Sequence, residues 1–405
     1  MIVRQYVRCA ECGTAHVLRI GVGGEPVQAH RFACTGCGEE MGITLELGKD
    51  WSYGPNALKS VEEDNDGPIV NLHPSFVFSK EEIGSARAFP SLEYGRELID
   101  GIRRARERAG LPATLDDLAG DRPRRARVTE EWPQLRAAWS LHRNGKDELA
   151  ARRLAGFVPT AGYEDPPDTL ADWVFQFAAK LTQPRFEELF EGLFQQLVAV
   201  KDKPDFARFV GHYGDQMSAA HARRYFETAK AYLAAFSEFS QVHHLVMSGV
   251  EVGDGQAAAS TDFDATRMFY GNAFEAFGDN VEFLTCVNNL LEDRPFDQLR
   301  NITLADYQRS DKAGRCRALA DNPAMAAVCA EFDNQVRNAS HHGGMSFDRA
   351  GGLVEYRSGK GGQGDVRTMG YASYLARCST LFAQAMSLLR FEILVANEFG
   401  ARLPL

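Results

Sequence analysis

"DNPAMAAVCAEFDNQVRNASHHGG", residues 321–344, decides how the C-terminal half of this chain is read. Asn322 is a good N-cap, because its side chain can accept a backbone N–H of the first turn. Pro323 suits the first helical position, where a missing N–H costs nothing. Met325, Val328, Phe332, Val336 and Ala339 then recur at steps of three and four and draw one apolar face. Gly343 and Gly344 end the run, since glycine enters the left-handed C-cap conformation without penalty. The expectation is one amphipathic helix that starts at Pro323 and stops at Gly-Gly.

The neighbouring sequence repeats the pattern. From Ala219 to Met247, Tyr225, Ala229, Tyr232, Phe236, Phe239, His243 and Val246 lie on one stripe, with His243 read as a satisfied core histidine. A loop rich in Gly, Asp and Ser follows. A second helix is expected from Asp264 to Glu292, with Phe269, Ala273, Phe277, Val281, Leu284 and Val287 facing inward. Beyond Gly344, "GGLVEYRSGKGGQGDVRTMG" (351–370) reads as a hairpin with a glycine tip, and a last helix is expected over Tyr371–Phe399. Long helices with short connections predict an α-helical bundle over residues 171–405.

The N-terminus is different. Four of the eight cysteines fall in two C-x-x-C-G knuckles, Cys9/Cys12 and Cys34/Cys37. Between them "HVLRIGV" and "VQAHRFA" alternate like strands around a "GGEP" turn, and "MGITLEL" supplies a third strand. Four thiolates at this spacing favour tetrahedral zinc with no open position, hence a structural ion in a ribbon over residues 1–48. So small a piece has little core, so the metal would supply much of its folding energy. The remaining cysteines, Cys286, Cys316, Cys329 and Cys378, read as small buried hydrophobes.

Residues 49–170 carry weaker signals. "SLEYGRELIDGIRRARERAG" reads as a helix, "GDRPRRARVTEE" as a linker, and "WPQLRAAWSLHRNG" as a short helix in which Arg136 and His142 are incidental. The sequence predicts a mixed helical and loop region. The chain of 405 residues carries a net charge of −10, so no global field recruits nucleic acid. The arginines from Arg103 to Arg108 and from Arg122 to Arg127 read as a solvated helix face and a charged loop. No leader pattern and no run of roughly 18 apolar residues is apparent, which predicts a cytoplasmic protein without a membrane span.

The end of the 321–344 helix concentrates chemistry. Val336 and Ala339 lie on the buried stripe, which puts Arg337 at its edge. His341, four residues on, shares the face of Arg337, while His342 lies further round unless the glycines let the chain leave helical phase. The C-terminal end of a helix dipole favours a positive charge, and histidine titrates near neutral pH. An arginine one turn away can hold a phosphate by bidentate hydrogen bonds.

Arg337-Asn338-Ala339-Ser340-His341-His342 resembles the R-N-x-x-x-H form of the R-x(4–6)-H motif of HEPN-domain proteins, a resemblance that covers residues 215–405. It implies a C-terminal HEPN-like helical bundle; with the small N-terminal β zinc ribbon read from the cysteines and the helical and loop middle region, the chain is expected to be mainly α. Many such proteins are metal-independent endoribonucleases, in which the RNA 2′-hydroxyl attacks the adjacent phosphate. The resemblance casts Arg337 as the phosphate-stabilising arginine, Asn338 as the polar residue after it, and His342 as the catalytic histidine. His341 rivals His342 on helical geometry. A single motif in the chain implies a homodimer with a composite site, RNA as substrate, and gating by a regulatory protein or ligand, as in a toxin or anti-phage effector. The alternative is a non-catalytic zinc-ribbon adaptor or sensor that binds nucleic acid or protein.

Overall fold

The computed structural model describes residues 2–23, 25–61, 66–86, 90, 95–96, 99–101, 103–104, 107, 128–155, 167–259, 262–341, 344–349, 351–359 and 364–405. Its strands are β1 (Ile2–Cys9), β2 (Ala15–Gly21), β3 (Val27–Ala33), β4 (Glu40–Glu46), β5 (Ser52–Tyr53), β6 (Ala57–Lys59), β7 (Ile69–Leu72), β8 (Phe78–Ser79), β9 (Gln256–Ala257), β10 (Met345–Asp348), β11 (Leu353–Arg357) and β12 (Val366–Gly370). The first helices are α1 (Lys80–Ile83), α2 (Val128–Arg143), α3 (Asp147–Ala155), α4 (Leu170–Thr182), α5 (Glu187–Val200), α6 (Phe206–His212) and α7 (Ser218–Ala234). They are followed by α8 (Phe236–Met247), α9 (Phe263–Asn280), α10 (Glu282–Leu291), α11 (Leu304–Arg309), α12 (Pro323–Val328), α13 (Asn334–His341) and α14 (Tyr371–Phe399). The protein is mainly α with small sheets at the N-terminus.

The chain forms two compact units, each assembled from separate stretches. Unit 1 takes residues 1–104, 235–268 and 335–379, and unit 2 takes 105–234, 269–334 and 380–405. In unit 1, β1 pairs antiparallel with β2, and β3 pairs antiparallel with β4. They belong to two sheets, ordered β6-β1-β2-β7 and β3-β4-β5. Val7, Leu18, Ile20, Met41, Ile43 and Val70 form the core beneath them. The expected pairing of the strands around the "GGEP" turn is corrected here: each strand pairs instead with the strand on the other side of its own cysteine knuckle. The ribbon's sheets also extend past residue 48 to take in β5, β6 and β7.

Unit 2 is helical and packed by aromatic rings. Tyr232 stacks on Phe382 and Phe274 on Phe332, each at 3.8 Å between ring centroids. Arg390 is buried because Glu187 holds both its terminal nitrogens, at 2.8 and 2.9 Å, while Phe190 lies beneath the guanidinium at 4.0 Å.

The long helices are shorter than their apolar stripes. The 219–247 stripe breaks at Ala235, the 264–292 stripe at Val281, and the 321–342 stripe between Val328 and Asn334. At the third break the Tyr270 hydroxyl donates to Glu331 at 2.6 Å and accepts the Asp333 N–H at 3.3 Å. That tertiary contact holds the chain out of helix, and a repeat of three and four cannot register it. Asn322 caps α12 as expected, accepting the Met325 N–H at 3.2 Å, and α14 has the expected bounds.

Other expectations need adjustment. α14 is long and apolar enough to cross a membrane by length and composition, with 89% of its most apolar window buried. Cys286 and Cys378 are buried, whereas Cys316 and Cys329 are only half-buried. His243 is buried in the core, as read. Arg136 is exposed, and His142 bonds Asp147 at 2.6 Å. Arg106, Arg108, Arg122, Arg124, Arg125, Arg127, the linker residues 120–127 and the hairpin tip at 360–363 lie outside the described residues. The last four residues of the expected linker, 128–131, open α2 instead.

Candidate metal centre and the helix bearing Arg337

Each cysteine pair sits on the turn of its own hairpin, and the two turns share one pattern of hydrogen bonds. Cys9 N–H reaches Thr14 O at 2.9 Å and Gly13 N–H returns to Cys9 O at 3.0 Å. At the second turn, Cys34 N–H reaches Glu39 O at 2.8 Å and Gly38 N–H returns to Cys34 O at 2.9 Å. Gly13 and Gly38 hold φ of +74° and +80°, the left-handed conformation that a side chain would resist. His16 ties one hairpin to the other, because its Nε2 accepts the Thr35 N–H at 3.1 Å.

The four thiol sulfurs thereby converge, all within 4.8 Å of one another, and can hold a metal ion. Cys12 Sγ lies 3.5 Å from Cys34 Sγ, and Cys9 Sγ lies 3.8 Å from Cys37 Sγ. A tetrahedron with Zn–S bonds of about 2.3 Å has sulfur–sulfur edges of about 3.8 Å. Disulfides need about 2.05 Å, so these spacings fit shared coordination. The Thr14 hydroxyl and backbone amide pull the Cys12 thiol down to about 6. The Glu39 amide lowers Cys37, but burial and the neighbouring thiols outweigh it and push that thiol up to about 12. Four thiolates at this spacing repel, and a divalent cation is what relieves them.

The cluster at Arg337 belongs to α13, whose Val336, Ala339 and Ser340 are buried. Ser340 Oγ donates to Val336 O at 2.8 Å. Its carbonyl, one of those a helix end leaves without an intrahelical partner, accepts from Arg267 Nη1 at 2.8 Å. Asp264 in turn braces Arg267 at 3.0 Å. Arg337, half-buried at the edge of the stripe as expected, donates from Nη1 to Asn338 Oδ1 at 2.8 Å. His341 is half-buried, and its Nε2 has no hydrogen-bond partner among the described residues. Arg337, Asn338 and His341 thus share the last two turns of one helix. His342 and Gly343 lie outside the described residues.

Sequence reasoning missed a buried constellation in unit 2. The Glu392 carboxylate is inaccessible and accepts from Tyr213 Oη at 2.9 Å, Tyr225 Oη at 2.6 Å and His221 Nδ1 at 2.9 Å. The other imidazole nitrogen of His221 lies 3.4 Å from Glu282. A π-helical turn, Tyr213–Met217, joins α6 to α7. On an ideal α-helix Tyr213 would sit about 120° from Tyr225, and the extra residue a π turn admits removes about 100° of that. The turn therefore brings both hydroxyls onto one carboxylate. Burial opposes the imidazolium of His221, but Glu392 and Glu282 outweigh it and raise its pKa to about 9. No short motif marks these residues, because the partners are 167 to 179 positions apart.

No protein-family model, no curated protein and no solved structure matches this chain.

Proposed function

We propose that the chain is a metal-independent endoribonuclease of the HEPN type, carrying one structural zinc at Cys9, Cys12, Cys34 and Cys37. The observation that carries the reading is the grouping of Arg337, Asn338 and an imidazole nitrogen of His341 without a described partner at the end of α13. A basic guanidinium beside proton-transferring rings is what cleavage through the 2′-hydroxyl requires. The 2′-oxygen bonds to phosphorus as its proton passes to a histidine. The bond from phosphorus to the 5′-oxygen breaks, and that oxygen takes a proton from a second acid. Arg337 stabilises the charge growing on the phosphoryl oxygens, and His342 is assigned the proton transfer.

Because one motif supplies only one such set, two chains pair through their C-terminal regions to complete the site. Such an activity is gated in its host by a partner or ligand, which suits a toxin or defence effector acting in the cytoplasm.

The test is cleavage of mixed RNA without added metal. Arg337→Ala and His342→Ala are each expected to lower the rate at least 100-fold, the scale of a lost acid–base or electrostatic group, with little change in melting. His341→Ala is expected to weaken cleavage mildly, and the products are expected to end in 2′,3′-cyclic phosphate. A parent no faster than both variants under every trigger tried overturns the reading in favour of a binding adaptor.

A further inference from the structure

Unit 1 contains a partly open cavity of about 620 Å³, of the size that takes a small organic molecule. β3, β7, the first turns of α8 and the turn after β10 form its wall. Phe32, Phe76, Phe78 and Phe347 are among the residues that line it. The charges in the wall cancel, with Glu25, Glu40 and Glu238 matched by Arg31, Lys80 and Arg349. Glu40 contacts Arg349 and lies 4.0 Å from Arg31. Glu238 accepts from the Tyr371 hydroxyl and from the Asp262 N–H, each at 2.9 Å. A neutral occupant suits such a wall better than an ion.

Two residues of the same wall carry buried polar atoms without a described partner. His30 is 4% exposed and Asn71 3% exposed, and neither His30 Nε2 nor Asn71 Oδ1 has a hydrogen-bond partner among the described residues. The orientation of the Asn71 amide is set by its own donors. Asn71 Nδ2 gives hydrogen bonds to the carbonyls of Glu82 at 2.8 Å, Ile83 at 3.1 Å and Ser85 at 2.9 Å, which leaves Oδ1 as a pure acceptor. Burial holds the His30 imidazole down at about 4, so at neutral pH it is an uncharged ring with one donor and one acceptor nitrogen. Buried polar atoms left unbonded lose their hydration with nothing in return, and native proteins keep few of them.

We propose that this cavity binds a neutral, planar nitrogen heterocycle of nucleoside size. Its ring lies against the phenylalanines, an N–H bonds to Asn71 Oδ1, and a complementary ring nitrogen or amino group meets His30 Nε2. Aromatic faces favour a flat ring, and a buried acceptor beside a buried neutral imidazole selects a ring that both gives and receives hydrogen bonds. The assignment does not depend on RNA cleavage, since Arg337 is not among the residues that line the cavity.

The full-length protein, titrated calorimetrically with adenosine, guanosine, cytidine and uridine, tests this, with octanoate as an acyl-chain probe. At least one nucleoside is expected to bind once per chain, to raise the melting temperature and to slow amide exchange in β3 and β7. His30→Phe fills the same volume without the unbonded nitrogen. It is expected to weaken binding at least tenfold while melting no lower than the parent. Should that variant fail to fold, exchange in the unaltered protein decides alone. Four results overturn the proposal: no nucleoside binding at millimolar concentration, octanoate binding in place of every nucleoside, protection on α13 instead of β3 and β7, or undiminished binding by a folded His30→Phe.

Discussion

At the scale of single residues, the buried carboxylate Glu392 shows how much can rest on one side chain. Its three donors in unit 2 are two tyrosines and His221, and all are inaccessible to solvent. Glu392→Ala leaves a buried imidazole and two hydroxyls without their acceptor, and we expect a loss of about 3–5 kcal/mol in a urea unfolding experiment. The sign of the pH dependence follows from His221. Its folded-state pKa is raised to about 9, so its contribution is fully present below its unfolded value of about 6.5 and is lost as pH rises through about 9. Tyr213 and Tyr225 are pushed well above their ordinary range by burial and by Glu392, so they stay neutral across that window. We expect the urea midpoint to fall between pH 7 and pH 10, and His221→Gln to flatten that slope. A midpoint equally steep in the variant assigns the effect to other groups.

At the scale of elements, the knuckles and the helix caps obey local rules. The paired hairpin turns place four sulfurs at coordination distance, and we expect about one equivalent of zinc per chain by elemental analysis of unchelated protein. Cys12→Ser removes one ligand from the set, and chelation removes the ion; each is expected to speed amide exchange in β1–β4, because these two small sheets share only a small buried core. Amides of α10 in unit 2 are expected to change far less. At α12, Asn322→Ala removes the cap on the Met325 N–H and is expected to cost about 1 kcal/mol by thermal or urea unfolding. Both features were readable beforehand, since a cap and a C-x-x-C-G turn each depend on neighbours within four residues. The pairing of β1 with β2 was not, because "IVRQYVRC" alternates weakly and its partner strand lies across the knuckle.

At the scale of the molecule, the chain returns repeatedly to two units, and two of its three helix breaks fall where it passes from one to the other, while α9 and α14 run unbroken through a crossing. Ala235 opens a unit 1 stretch and Gln335 another, each within a residue or two of a break in an apolar stripe. If the site at Arg337 is completed by a second copy, light scattering on the active protein should give twice the 44.8 kDa chain mass. A monomer with full activity excludes the composite site.

The amino-acid sequence by itself determined the features with short-range causes. These are the two knuckles with glycine at positive φ, the Asn322 cap, the bounds of the last helix, and the presence of Arg337 beside the buried face of its helix. Each follows from backbone sterics or from contacts one turn apart. Only the tertiary structure decided where the stripes break, which strands pair across the knuckles, and which residues meet at Glu392 and around the His30 cavity. Such groups come together only when the rest of the chain is already folded. The contacts that fix them join residues as far apart as Tyr213 and Glu392, and no local pattern encodes that closure.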